Sequence, residues 1–136
     1  MRTFKNKIIF SFLLFVAMSF SSCEDASTEL TIESKVEILE SDEWLLKDFE
    51  DRVMHTFANG ERFTYYGTDS NFDEDAIPGT QTYTISGELL IMDFNFGNIS
   101  TYEVKVFCNN NILEFYRDGE LNTTLYRRGS NYKECL

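Results

Sequence analysis

Few side chains in this 136-residue sequence are of a type that could carry out chemistry. His55 is the single histidine, and it lies two residues before Phe57 with no serine or cysteine motif beside it. The sequence has no Gly-x-Ser-x-Gly elbow, no Walker loop and no His-Glu-x-x-His motif. Pairs of carboxylates carry no weight, since 23 acidic residues produce them by chance. We therefore expect a protein that is not an enzyme and has no catalytic residues, in which His55 has a packing or surface role.

An acidic segment at residues 69–75 has the spacing of part of a calcium-binding loop. Oxygen-bearing side chains occupy the first, third and fifth places of that loop pattern. Glu74 stands where the pattern requires glycine, and Thr80 stands where the closing glutamate belongs. A solvated acidic loop is therefore favoured over a weak calcium contact, and we predict neither a metal site nor a cofactor.

The beginning of the chain is typical of an exported protein. Arg2, Lys5 and Lys7 precede an apolar run at residues 8–16, and small residues follow up to Cys23. This order predicts a cleaved secretory signal peptide, because the apolar run is shorter than the roughly 20 residues of a membrane-spanning helix.

The segment Phe20-Ser21-Ser22-Cys23 resembles the lipobox of Bacteroidetes lipoproteins. The resemblance implies that residues 1–22 are removed and that Cys23 receives a diacylglycerol thioether, which palmitate would label. An ordinary signal peptide with an incidental cysteine is the alternative. Glu24-Asp25 resembles the acidic export signal of those lipoproteins, which implies a lipid anchor in the outer membrane and exposure at the cell surface. Residues 23–30 then form an acidic tether.

The two remaining cysteines, Cys108 and Cys135, form an even pair in a chain that leaves the cytoplasm. An even count in an oxidising compartment predicts a disulfide, with two free thiols as the alternative. No Cys-x-x-Cys motif is present, so a zinc site has almost no support.

The charge balance excludes one class of partner. The chain has 12 basic and 23 acidic residues, and three of the basic residues lie in the signal peptide. Residues 23–136 therefore carry 9 minus 23, or −14. A surface of that sign repels phosphate, so we predict no nucleic-acid binding.

Residues 31–136 have the pattern of one all-β domain that follows a short amphipathic helix. From Trp44 onward, apolar and polar residues alternate, and glycine-containing or asparagine-rich turns interrupt the alternation. Such short links join antiparallel neighbours, which predicts an eight-stranded up-and-down meander barrel. The predicted strands cover residues 44–50, 52–58, 61–67, 81–85, 88–94, 101–108, 112–117 and 121–128.

Tight turns also predict which residues face the interior. Two-residue loops at Asn109-Asn110 and Asp118-Gly119 place Val106 opposite Leu113 and Lys105 opposite both Glu114 and Thr123. The interior face then contains Tyr102, Val104, Val106, Leu113, Phe115 and Tyr126. At Asn59-Gly60, a three-residue bulged loop is favoured over a two-residue loop because it buries both Phe57 and Phe63.

The order and spacing of several segments resemble the lipocalin-like domains of Bacteroidetes lipoproteins. The segments that carry the resemblance begin at Leu39, Phe57, Tyr83, Tyr102 and Ile112, and the match spans residues 39–128. It implies a small barrel whose interior is either filled by side chains or holds one small ligand. It also implies that Arg127 or Arg128 stacks on Trp44.

Two functions follow from these expectations. The first is binding of a small hydrophobic or amphipathic molecule in the barrel mouth, near Phe57, Phe63, Tyr102 and Phe115. The alternative is an interaction or inhibitor protein whose loops, especially residues 68–80, contact another protein or a glycan.

Overall fold

The computed structural model describes residues 29–136. The predicted signal peptide, the lipid-attachment residue Cys23 and most of the predicted tether lie outside the described residues. The described chain begins with the predicted short helix, α1 (Ile32–Glu40), and the Thr31 side chain caps it by accepting a hydrogen bond from the Ser34 backbone N–H.

The remainder of the chain forms an antiparallel barrel. β1 pairs with both β2 and β9, and β2 also pairs with β3, so eight strands close into one ring to which β4 is attached through β3. The predicted all-β, eight-stranded up-and-down barrel is therefore confirmed. The strands are β1 (Trp44–Leu46), β2 (Val53–Ala58), β3 (Glu61–Thr68), β4 (Asn71–Phe72), β5 (Gln81–Ser86), β6 (Leu89–Asp93), β7 (Ile99–Phe107), β8 (Ile112–Arg117) and β9 (Glu120–Arg127).

Most strand bounds differ from the prediction by one or two residues, and two differences are larger. β1 ends at Leu46, because the chain turns at Asp48, whose φ is 70°, and the Phe49 N–H bonds to the Leu46 carbonyl at 2.9 Å. β4 was not predicted, and it forms a hairpin with β3 across Asp69 and Ser70, which have φ values of 52° and 64°. Residues with positive φ cause both differences: Asp48 ends β1 early, and Asp69 and Ser70 form the tight turn that folds β4 back on β3.

The bulged loop predicted at Asn59-Gly60 is wrong. Ala58 pairs directly with Glu61 across a two-residue turn whose φ values are 51° and 79°. Positive φ at both positions is the geometry that suits Asn-Gly in a tight hairpin. Phe57 therefore lies opposite Arg62, and Phe63 faces the other side of the sheet.

The predicted assignment of Tyr126 to the interior is also wrong. The register shifts by one residue between Phe115 and Tyr116, so that Phe115 pairs with Thr123 and Leu113 pairs with Leu125. One extra residue in β9 reverses the face of every residue after it. Thr123 and Leu125 consequently point inward, and Tyr126 lies on the outer face. The predicted pairs of Val104 with Phe115 and of Val106 with Leu113 are confirmed.

Helix α1 and Trp44 close the end of the barrel at which β1 begins. Ile32, Leu39 and Trp44 are fully buried in the same core as the inward-facing residues of the strands. The Trp44 indole Nε1 donates a buried hydrogen bond of 2.8 Å to the Leu39 carbonyl, which ties the helix to the first strand. The guanidinium carbon of Arg127 lies 5.9 Å from the centre of the Trp44 ring. Of the two arginines expected to stack there, it is Arg127 that does so.

The C-terminal segment packs on the outer face of the barrel. A 3₁₀ helix (Tyr132–Cys135) places the Tyr132 ring parallel to the Tyr126 ring, with 4.3 Å between the centroids. Cys108 and Cys135 form the predicted disulfide, with 6.0 Å between their Cα atoms. Tyr126 is therefore buried outside the barrel, beneath a cover that the disulfide ties to the end of β7.

Replacing Cys108 and Cys135 together with Ser should lower the free energy of unfolding by roughly 2–4 kcal/mol, since the crosslink restricts the unfolded chain. Urea denaturation of the wild type and the double variant measures the difference. Addition of a reductant should destabilise the wild type and leave the double variant unchanged. Equal urea midpoints for oxidised wild type and variant would contradict the stabilising role of the disulfide.

Candidate functional site

The barrel interior contains a cavity between the inward-facing side chains. The centre of a water-sized sphere can occupy about 20 Å³ of this cavity. All space between the side chains, including open solvent at the mouth, amounts to about 280 Å³. The smaller volume accommodates roughly one water molecule. Side chains thus fill most of the interior and leave one small apolar space. Its lining consists of Phe57, Arg62, Met92, Phe94, Tyr102, Phe115, Thr123 and Leu125.

Aromatic rings form much of the cavity wall. The rings of Tyr102 and Phe115, on neighbouring strands, meet edge to face at 5.9 Å and 87°. Phe57 meets Tyr83 in a similar arrangement at 5.8 Å. Phe57, Tyr102 and Phe115 were predicted as ligand-binding residues, and the structure brings all three to one cavity. Phe63 does not line it, because the two-residue turn places it on the opposite face of β3.

Arg62 is the one charged side chain among the residues that line the cavity. It is the cross-strand partner of Phe57, and its guanidinium carbon lies 5.0 Å from the centre of the Phe94 ring. A terminal nitrogen donates a hydrogen bond to the Gln81 side-chain oxygen, whereas the buried Nε has no hydrogen-bond partner within the described residues. Burial lowers the pKa of Arg62 to about 10.

Sequence analysis missed Arg62 because the bulged loop was favoured at Asn59-Gly60. A two-residue loop places Arg62, two positions after Gly60, directly opposite Phe57. The Asn-Gly dipeptide is itself a strong signal for that loop, so the residue could have been found from the turn chemistry.

His55 lies farther along the interior face of β2, opposite Trp44 on one side and Thr64 on the other. The side chain is buried, and its Nδ1 lies 3.0 Å from the Thr64 hydroxyl oxygen. Burial, reinforced by the positive charge of Arg62, lowers the pKa of the imidazole to about 3. His55 is therefore a neutral, hydrogen-bonded member of the packed interior at neutral pH.

Several apolar side chains are exposed in or beside the loops at the end of the barrel opposite the start of β1. The most exposed is Phe96, whose side chain is fully accessible in the loop between β6 and β7. We call this set the loop-end apolar rim. Its members are Phe49, Ile77, Phe96, Ile99 and Leu121.

Neither a metal cluster nor a membrane-spanning helix occurs in the described part of the chain. Residues 29–136 contain no group of three or more His, Cys, Asp or Glu side chains placed to hold a metal ion. None of the helices described in that range combines the length and the apolar character that crossing a membrane requires.

Comparison with known proteins yields no relative. No family model matches the chain, and no curated protein or solved structure matches it either.

The buried His55 should make stability depend on pH. In the unfolded chain a histidine takes up a proton below about pH 6.5. In the native protein it stays neutral until about pH 3. The unfolded state thus binds more protons between these values, so the contribution of His55 is fully present above pH 6.5 and falls as the pH falls toward 3.

We expect this loss to approach about 1 kcal/mol per pH unit between pH 6 and pH 4. His55→Gln should show a shallower fall over the same range, because the glutamine amide does not titrate. Urea midpoints from pH 8 to pH 4 measure both profiles. Parallel profiles for wild type and variant would show that His55 is protonated equally in the folded and unfolded states.

Proposed function

We propose that this protein is a non-enzymatic binding module that holds one small amphipathic molecule in the barrel cavity. The observation that carries the proposal is the composition of the cavity wall, in which aromatic and aliphatic side chains surround one guanidinium. Small-molecule sites in proteins typically combine a mainly apolar wall with a few polar groups that orient the ligand.

The dimensions of the cavity restrict the class of ligand. The space open to the centre of a water-sized sphere is about 20 Å³, far below the roughly 300–1,000 Å³ of common ligand sites. A ligand therefore enters only when the lining side chains move apart, which a short chain or a single small ring requires less than a long-chain lipid does. Phe94 is only partly buried at the cavity wall and precedes the loop of residues 95–98, so rotation of its ring would widen the entrance.

We further propose that the domain is lipocalin-like and that a lipid on Cys23 anchors it in the outer membrane, exposed at the cell surface. The support is the closed eight-stranded barrel, the lipobox-like segment at residues 20–23 and the acids that follow it. A fully extended tether of residues 23–30 reaches about 27 Å. That length would hold the barrel clear of the lipid headgroups.

The loop-end apolar rim favours a second candidate function, which is binding of another protein through the loops. Its side chains expose an aromatic and aliphatic surface, with Phe96 fully accessible. Apolar side chains gathered at one end of a barrel favour an interaction site there when they form a contiguous surface. Residues 68–80, the loop predicted for this role, contribute Ile77 to the rim.

The binding proposal predicts that hexan-1-ol enters the cavity. Thr123 points into the cavity, so Thr123→Leu should fill part of the space and weaken hexan-1-ol binding by about tenfold. Thr84→Leu is the matched control, because Thr84 is exposed on the outer face of β5. The NMR signal of the Met92 methyl group reports binding. An unchanged Met92 signal at saturating hexan-1-ol would refute the proposal and favour the loop-end apolar rim.

The anchoring proposal predicts that Cys23→Ala releases the protein from the membrane fraction. Cys108→Ser is the matched control, since it also removes a thiol but leaves the proposed attachment residue in place. Wild type and control should incorporate labelled palmitate, and the Cys23 variant should not. Membrane retention of the Cys23 variant, together with an unlabelled wild type, would overturn the assignment.

A further inference from the structure

We infer that the ligand of the cavity carries a carboxylate, which Arg62 binds, attached to a short apolar chain that lies among the aromatic rings. This inference rests on the proposed function and deepens it, because it assigns the chemical class of the ligand. It is carried by the unsatisfied hydrogen-bonding capacity and the uncompensated charge of Arg62.

The guanidinium of Arg62 has hydrogen-bond donors without partners within residues 29–136. Arg62 has five N–H donors, and one terminal nitrogen donates to the neutral oxygen of Gln81. The Nε is buried and donates to nothing in the described part of the chain. A buried donor without an acceptor is costly, and because this nitrogen is closed to solvent, an acceptor reaches it only when the guanidinium shifts in the cavity wall. A carboxylate fits, since its two oxygens can accept two parallel bonds from one guanidinium.

The positive charge of Arg62 has no ion-pair partner among the described residues. The ion pairs of the described residues join Lys105 to Glu103, Arg127 to Asp42 and Arg128 to Glu43. None of them includes Arg62, although residues 23–136 carry 14 more acids than bases. Arg62 is partly buried, and a charge withdrawn from water is normally paired because desolvation without a partner is costly. Its guanidinium therefore remains available to pair with an anion that enters the cavity.

A comparison with Arg127 shows why Arg62 is the informative residue. The Nε of Arg127 is likewise buried without a partner. Its guanidinium, however, forms an ion pair of 2.7 Å with Asp42 and lies over Trp44 at the closed end of the barrel. Arg62 forms no ion pair with a carboxylate of the described chain, and it lines the cavity instead of lying at the closed end of the barrel.

The remainder of the cavity determines what must be attached to the carboxylate. Apart from Arg62, the cavity lining includes Phe115, Leu125 and Met92, which offer contacts to carbon atoms and no charge. The Tyr102 ring also lines the space and carries a hydroxyl. A free inorganic anion would leave these surfaces without contacts, whereas a short aliphatic carboxylate satisfies both parts of the site.

The test compares ligands with the same six-carbon chain and different head groups. Hexanoate, hexan-1-ol and hexylammonium are titrated into the wild-type protein at pH 7.5, with acetate as the head group without a chain. We expect hexanoate to bind at least about tenfold more tightly than hexan-1-ol, because a charged hydrogen bond inside the barrel favours the anion. Hexylammonium and acetate should bind more weakly than either.

Variants of Arg62 assign the effect to the residue. Arg62→Gln should bring hexanoate affinity to within about twofold of the hexan-1-ol affinity of the same variant. Arg62→Lys keeps the positive charge and should retain part of the preference for hexanoate over hexan-1-ol. It tests the role of the charge if the glutamine variant does not fold. Arg52→Gln is the control for overall charge, since Arg52 is exposed in a turn, and it should behave as the wild type does.

The outcomes separate the inference from the proposed function. Tight hexanoate binding that depends on Arg62 supports both. Equal binding of hexanoate and hexan-1-ol, unaffected by Arg62→Gln, overturns the anion inference and leaves the apolar cavity standing. Binding of neither hexanoate nor hexan-1-ol overturns the proposed function and the inference together.

Discussion

Closure of eight strands into one ring sets how much space this protein has inside. At that strand number a barrel is just wide enough for its inward-facing side chains to fill it or for one small ligand to fit. The ring depends on β1, which is only three residues long and pairs with β2 on one side and β9 on the other. Trp44 opens this strand, and its hydrogen bond to Leu39 brings α1 over the barrel end. A short strand can close the ring because helix and indole together fill the space beneath it.

One continuous core contains Trp44 and Leu39 at the closed end together with the cavity-lining Phe57, Tyr102 and Phe115. His55 is buried as the cross-strand partner of Trp44, and Arg62 brings a positive charge to the cavity wall. That charge adds to the burial that lowers the pKa of His55.

The eight strands of the ring and their order could be predicted from the sequence, because alternating apolar residues and short turns encode antiparallel neighbours directly; the two-residue strand β4 could not. The register could be predicted only where the turns were read correctly. At Asn109-Asn110 this placed Val104 opposite Phe115. At Asn59-Gly60 a preference for burying Phe63 outweighed the turn signal, and Arg62 was missed. The extra residue in β9 has no such local signal, and Tyr126 lies outside the barrel because a C-terminal cover, tied down by a disulfide, buries it there.

The account is tested most directly by locating a ligand inside the barrel. In crystals of the protein soaked with 6-bromohexanoate, anomalous scattering marks the bromine, and the carboxylate is visible in the electron density. We predict bromine in the cavity lined by Phe115 and Leu125, with a carboxylate oxygen about 3 Å from a guanidinium nitrogen of Arg62. Bromine found only on the outer surface, with Arg62 unchanged beside Gln81, would contradict the assignment of the cavity as a site for a small apolar anion.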